Sequence, residues 1–235
     1  MVRYSEIREK NPREIVLLRG SGCRWRKCRF CDYHLDFSKD TEENYRINRE
    51  ILEKITGKYK SLEVINSGSF AELDPMTLDG IERICREKKI LQLRFEAHWM
   101  YRKEIQPLRE RFAAAGTEVK IKMGVETFDT KFRETIMAKG MGEALPREIA
   151  RYADEVCLLF GFKGQTEESM ERDIETGLAF FERICINLMN PNTAPLQPDP
   201  DVIRLFLKEI YPRYKDNPRA DILLENTEFG VGGEA

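Results

Sequence analysis

The chain has 235 residues, enough to bury a substantial core in one domain, and 34% of them are charged. Its 39 basic side chains nearly cancel 41 acidic ones, so the basic excess of a duplex-gripping protein is missing and a small substrate is favoured over nucleic acid. No apolar run approaches a membrane span and "MVRYSEIREKNPR" has no signal-peptide core, which predicts a cytoplasmic protein without structural disulfides.

In chain order, "EIVLLRG" (14–20) predicts a first strand, followed by a loop with three cysteines. Residues 41–56 place Ile47, Ile51, Leu52 and Ile55 on one helical face, with Asp40 and Glu43 as a capping pair. "SLEVIN" (61–66) is the second strand, and the helix after it takes Asp74 as N-cap and Pro75 at its first position. "ILQLRFEAH" (90–98), "EVKIKMGVE" (118–126), "DEVCLLFGF" (154–162) and "RICINLMN" (183–190) follow as strands. Between and after them lie helical segments marked by Ile105/Leu108/Phe112, by Phe132/Ile136 and Leu145/Ile149, and by Met170/Ile174/Leu178. A last helix restarts at Asp199 and Pro200. The tail "DILLENTEFGVGGEA" (221–235) begins like a strand and ends in glycines, either covering a ligand with Glu228 and Phe229 or fraying as a terminus.

Six consecutive βα units imply a parallel sheet, and no linker divides residues 1–235, which read as one domain. In the third strand Gln92, Arg94, Glu96 and His98 alternate with Leu93, Phe95 and Ala97; in the fourth Lys120, Lys122 and Glu126 alternate with Val119, Ile121 and Val125. A strand covered by helices on both faces is apolar throughout. One polar face therefore predicts a wet lumen, and with it an α/β partial (βα)6 barrel, TIM-like but incomplete, instead of a doubly wound sheet.

The loop "GSGCRWRKCRFCDYH" (20–34) sets Cys23, Cys28 and Cys31 at x4 and x2 spacing among Arg24, Arg26, Lys27 and Arg29. Structural zinc wants four ligands, and no second CxxC or HxxxH accompanies these three. A disulfide joins only two of them. A [4Fe-4S] cluster is the better fit, since three thiolates hold three irons and leave the fourth open, and nearby cations favour thiolates. Cys85, Cys157 and Cys185 sit in apolar periodic stretches and read as small core residues.

At these residues the sequence resembles the radical S-adenosylmethionine (SAM) superfamily, whose CxxxCxxC motif, with an aromatic before the last cysteine, follows the first strand of a partial (βα)6 barrel. Cys23, Cys28, Cys31 and Phe30 match that pattern, and the first spacing departs from it by one residue. The resemblance implies a cluster on the three cysteines and SAM contacts from "NSGSF" (Asn66, Ser67, Gly68 and Ser69), from Glu96 and Glu126, and from Phe160 in "LLFGFKGQTEES". It also implies reductive SAM cleavage to a 5′-deoxyadenosyl radical, fed by a flavodoxin- or ferredoxin-type electron donor.

Within the superfamily, "VINSGSF", "LRFEAHW" and "MGVETFDTKFRETIMAKG" resemble the radical SAM subunit of archaeosine synthase. The size and the "GCRWRKCRFCDYH" loop resemble the queuine lyases, which cleave queuosine 5′-phosphate and release queuine. On that reading Arg94, Lys120 and Lys122 are candidates to meet a phosphate, and His98 and Asn187 to meet ribose or base, with Glu228 near the ligand and His98 a catalytic candidate. Plainer readings stand beside these: Gly68 in a turn, Glu96 and Glu126 in strand-end ion pairs, His98 hydrogen-bonded structurally, the lysines paired with carboxylates. Two other functions stay open, a radical SAM enzyme acting on tRNA or a peptide, and a zinc-stabilised binding protein.

Overall fold

Aliphatic runs separated by helices with capped N-termini give the chain the alternation its sequence predicts. The computed structural model describes residues 2–32 and 36–225. They form two compact units, one of residues 2–26 and 36–122, the other of 27–32 and 123–225. Strand order follows chain order from β1 to β8.

In the first unit, β1 (Tyr4–Ile7) pairs antiparallel with β2 (Arg13–Leu18), which runs parallel to β3 (Ser61–Asn66), and β3 to β4 (Gln92–Ala97). All six side chains of β2 and all six of β3 are buried. α1 (Thr41–Leu52) begins at Asp40, whose carboxylate accepts from the backbone N–H groups of Glu42 and Glu43, satisfying donors the helix leaves unpaired. α2 (Pro75–Lys88) begins at Asp74, which accepts from Thr77 N at 2.8 Å, with Pro75 where no N–H is needed. Buried Asn48 binds the N–H and C=O of Arg19 at 2.7 and 2.8 Å and Thr77 Oγ1 at 3.0 Å, so one amide stitches the end of β2 to both helices. A 3-10 turn (Trp99–Glu104) leads into α3 (Ile105–Ala113), and the rings of Phe70, Phe95 and Phe112 pack in the core, tilted at 53° and 60° to one another.

β5 (Glu118–Glu126) enters the second unit at Met123. There a π-helical turn (Phe132–Ile136) and α4 (Pro146–Ile149) precede β6 (Glu155–Phe160), α5 (Glu167–Phe180), β7 (Arg183–Leu188) and β8 (Ala220–Leu223). β6, β7 and β8 are parallel, with Cys157 opposite Cys185. The helix predicted from Asp199 is α6 (Pro200–Leu205), a π turn (Phe206–Ile210) and α7 (Tyr211–Tyr214). Pro212 explains the wide turn: it has no N–H for residue 208, and its ring presses on that carbonyl.

β1, four half-buried residues, has no counterpart among the strands the sequence predicts, and no helix of the described residues is long and apolar enough to cross a membrane.

Candidate active site

In the first unit the loop after β3 is held from inside. Asn66 Nδ2 donates to Ser69 O at 3.1 Å, Gly68 N to Asn66 O at 2.6 Å, and His98 N to Ser69 Oγ at 2.9 Å. Gly68 has a steric role, since a Cβ there runs into the carboxylate of Glu72 and lies 3.2 Å from Cys23 N. That carboxylate, which the motif reading had not singled out, is buried and takes Arg24 N at 2.6 Å, Ser69 N at 2.5 Å and Tyr101 Oη at 2.9 Å. Its backbone carbonyl accepts from Ser21 N at 2.9 Å. Residues 21–24, with Cys23 among them, are therefore pinned by Glu72 at both its main chain and its side chain. Burial and the Glu72 carboxylate push the Tyr101 phenol above its ordinary range, which keeps it a donor.

His98 follows β4 directly, buried, with its ring stacked on Trp25 at 5.5 Å and 23°. Its Nδ1 accepts from Met100 N at 3.2 Å, an arrangement that puts the neutral ring's proton on Nε2. Glu96, partly exposed, stands two positions before it.

The cationic candidates are placed elsewhere. Arg94, Lys120 and Lys122 stand in the N-terminal parts of β4 and β5, whereas Asn66 and Glu126 close β3 and β5. From Lys122 to Glu126 is about 13 Å of strand. Lys122 and Arg13 both pair with Glu63, all three buried. Burial alone raises a carboxyl, but Arg13 and Lys122 outweigh it and hold Glu63 well below the usual range. Arg94 donates to Ser61 Oγ at 2.7 Å and to Gln92, and Lys120 pairs with Glu118 at 2.9 Å. The polar row expected to line a wet lumen is, at this end, a buried ion network.

In the second unit Cys28 and Cys31 share one turn, with Cys31 N on Cys28 O at 3.4 Å. Arg29 N donates to Met137 O at 3.0 Å and Leu196 N to Arg29 O at 2.8 Å. Asn192 Nδ2 donates to Phe30 O at 2.8 Å, and Thr193 N and Oγ1 reach Asp32 at 3.1 Å each. Beneath the turn lies an apolar floor of Phe30, Met137, Leu159, Phe162 and Met189, against which both cysteines pack.

At the end of β5, Glu126 has a φ of +69°, uncommon outside glycine, and is ion-paired with Lys139 at 2.7 Å. The loop after β6 is shaped by Gln165, whose Oε1 accepts from Gly161 N and Phe162 N at 2.9 Å each while Nε2 donates to Leu159 O at 3.1 Å. The ring of Phe160, at the end of β6, is fully buried and lies 5.8 Å from that of Phe206. Asn187, partly exposed, sits opposite Leu159 and Leu223. Glu228 and Phe229 lie outside the described residues.

No disulfide joins any of the six cysteines; Cys23, Cys28 and Cys31 are partly exposed, and Cys85 and Cys185 buried. Among the described residues no three ligating side chains stand close enough to hold a metal ion. The donor chemistry nonetheless fits an iron–sulfur group: three accessible thiols, two of them on a water-poor apolar floor beside the Lys139 ammonium.

No family model matches the chain, and no curated protein does. Among solved structures, queuine lyase from Clostridium spiroforme, bound to SAM and queuine, superposes with a TM-score of 0.93 at 44% identity, covering 99% of this chain and 100% of that one. A chitinase from Chromobacterium violaceum ATCC 12472 (12% identity, 73% and 65% covered) and the spore cortex-lytic enzyme SleL of Bacillus megaterium QM B1551 (11%, 87% and 59%) reach TM-scores of only 0.37 and 0.38 and carry no argument. Strand order, cysteine loop and full-length likeness define a radical SAM enzyme with the α/β, partial (βα)6 barrel fold of that class. Within the class, the chain belongs to the queuine lyase family.

Proposed function

We propose that this chain binds SAM and a [4Fe-4S] cluster, cleaves queuosine 5′-phosphate and releases the base queuine. The observation that carries the reading is the full-length likeness, at 44% identity, to a queuine lyase bound to SAM and queuine. Cys23, Cys28 and Cys31 are the thiolates that hold the cluster. Held by these thiolates, a reduced cluster would supply the one electron that reductive cleavage of SAM to methionine and a 5′-deoxyadenosyl radical requires.

The rest falls to the protein's own groups. Glu72 fixes the backbone of residues 21–24, and the 192–196 segment fixes residues 29–32. The Asn66–Ser69 turn offers backbone and hydroxyl groups to the SAM amino and carboxylate ends, with Glu96 and Glu126 as acceptors for its hydroxyls. His98, with its proton on Nε2, and Asn187 are the groups we assign to ribose or base. Phe30 and Phe162 keep water from the cysteine turn, so a radical formed there meets substrate in place of solvent. A single domain, a soluble cytoplasmic setting and a flavodoxin- or ferredoxin-type donor complete the proposal. A net charge of −2 favours a free nucleotide over tRNA.

The test is anaerobic reconstitution, then incubation with SAM, dithionite and queuosine 5′-phosphate. Iron and sulfide near four each, with queuine and 5′-deoxyadenosine formed together, is the expected result. Stoichiometric zinc without SAM turnover, or turnover that needs queuosine-containing tRNA, overturns it.

A further inference from the structure

Lys139 stands near the end of the segment "MGVETFDTKFRETIMAKG" (123–140), and the fold gives it an unusual position. Its ammonium sits 2.7 Å from Glu126 Oε1, with side-chain exposures of only 10% and 8%. The same nitrogen lies 5.7 Å from the ring centroid of Phe30, the residue between the cysteines of the turn. Met137, two residues earlier, accepts from Arg29 N, so the lysine's segment is hydrogen-bonded to the cysteine turn itself.

Room for the pair is provided by the backbone. A Cβ on Gly124 stands 2.8 Å from Lys139 Nζ and 2.7 Å from Glu126 Oε1, which a side chain there cannot avoid without displacing one or both. Glu126 holds its positive φ in the same place. A strained residue and a missing side chain thus serve one buried ion pair. Glu126 and the thiols of Cys28 and Cys31 together draw the lysine pKa upward against its burial. The carboxylate of Glu126, 2.7 Å away, favours the ammonium form.

A cation in a site of low dielectric stabilises whichever neighbouring state carries more negative charge, and reduction makes a cluster more negative. Its partner carboxylate opposes that effect. Resting on the cluster assignment made above, we propose that Lys139 is a positioning residue that raises the reduction potential of the cluster on the cysteine loop, with Glu126 as the counter-charge that limits the rise.

The test is an EPR-monitored redox titration, without SAM, of reconstituted parent protein, Lys139→Met and Glu126→Gln, with exposed Lys208→Met as a control for net charge. Lys139→Met is expected to lower the equilibrium constant for one-electron reduction about tenfold, a fall of about 59 mV. Glu126→Gln, which removes the negative charge of that carboxylate, is expected to shift the potential upward, and Lys208→Met to leave it in place. Equal potentials in all four proteins, or shifts of one sign in both site variants, overturn the proposal. If Lys139→Met does not fold, the upward shift in Glu126→Gln decides alone, and its absence refutes the proposal. A parent protein that takes up no cluster is a different result: it refutes the cluster assignment.

Discussion

Replacing Glu72 by glutamine isolates the clamp on the first half of the cysteine loop. The carboxylate is only 6% exposed and accepts three hydrogen bonds, from Arg24 N, Ser69 N and Tyr101 Oη. An amide of the same shape keeps one oxygen, and its NH2 must face either Ser69 N–H or Arg24 N–H. Tyr101 can turn its hydroxyl to accept, but a backbone N–H cannot. One buried N–H loses its partner at about 1–3 kcal/mol, and the surviving bonds lose their charge assistance. A total of about 2–3 kcal/mol lowers Tm by about 4–12 °C in a chain of this length. The loss is also local: amide exchange in peptides covering residues 21–24 is expected to accelerate more than in β3 or α2, which thermal denaturation and hydrogen-exchange mass spectrometry read together. A Tm within 1 °C of the parent and unchanged exchange in that loop refute the clamp.

Three further outcomes follow from the buried groups. Glu63→Gln leaves Arg13 and Lys122 sharing a neutral partner in the core and is expected to cost about 3–5 kcal/mol by chemical denaturation, an effect an exposed pair such as Arg83 and Glu87 does not show. Burial pushes Asp173 up to about 6 from an ordinary 3.8, its bonds to Thr127 and Phe128 N notwithstanding. The native state therefore holds its proton longer than the unfolded chain, and the stability it contributes is full below pH 3.8 and lost as pH rises through 6. That loss is about 3 kcal/mol at pH 7, of which a small part is already gone at pH 4, so the stability of Asp173→Asn relative to the parent is expected to improve by about 2 kcal/mol between pH 4 and pH 7 in parallel denaturations. Burial also pushes the Cys85 thiol up to about 12, so iodoacetamide at pH 8 is expected to label Cys23, Cys28 and Cys31 in the apoprotein and leave Cys85 unmodified in peptide maps.

Local chemistry made much of the fold legible. Asp40, Asp74 and Asp199 cap the helices they were expected to cap, because an N-cap is decided within three residues. β5 runs from Glu118 to Glu126 as its alternation indicates. β1 was missed because its four half-buried residues show no period. The polar row of β4 and β5 was visible, but not its meaning. Whether Lys122 faces solvent or a carboxylate depends on Glu63, 59 residues away in sequence. The cysteine turn was legible as chemistry because three thiols at short spacing have few other uses. Glu72, outside every motif, and Lys139, one of several charges in the 123–140 segment, were not, since such a residue looks like any surface charge until its burial is seen.

The four residues of β1 also guard the molecule. They pair with β2, whose last four residues, Ile15 to Leu18, are uncharged, and they tie Tyr4 to Glu14 and Glu6 to Lys58 and Tyr59 on a strand of only four residues. Shortening the N-terminus past Ile7 strips that cover and leaves a greasy ribbon with open backbone valences, a template for self-association. β1 is thus a cover strand for the edge of β2.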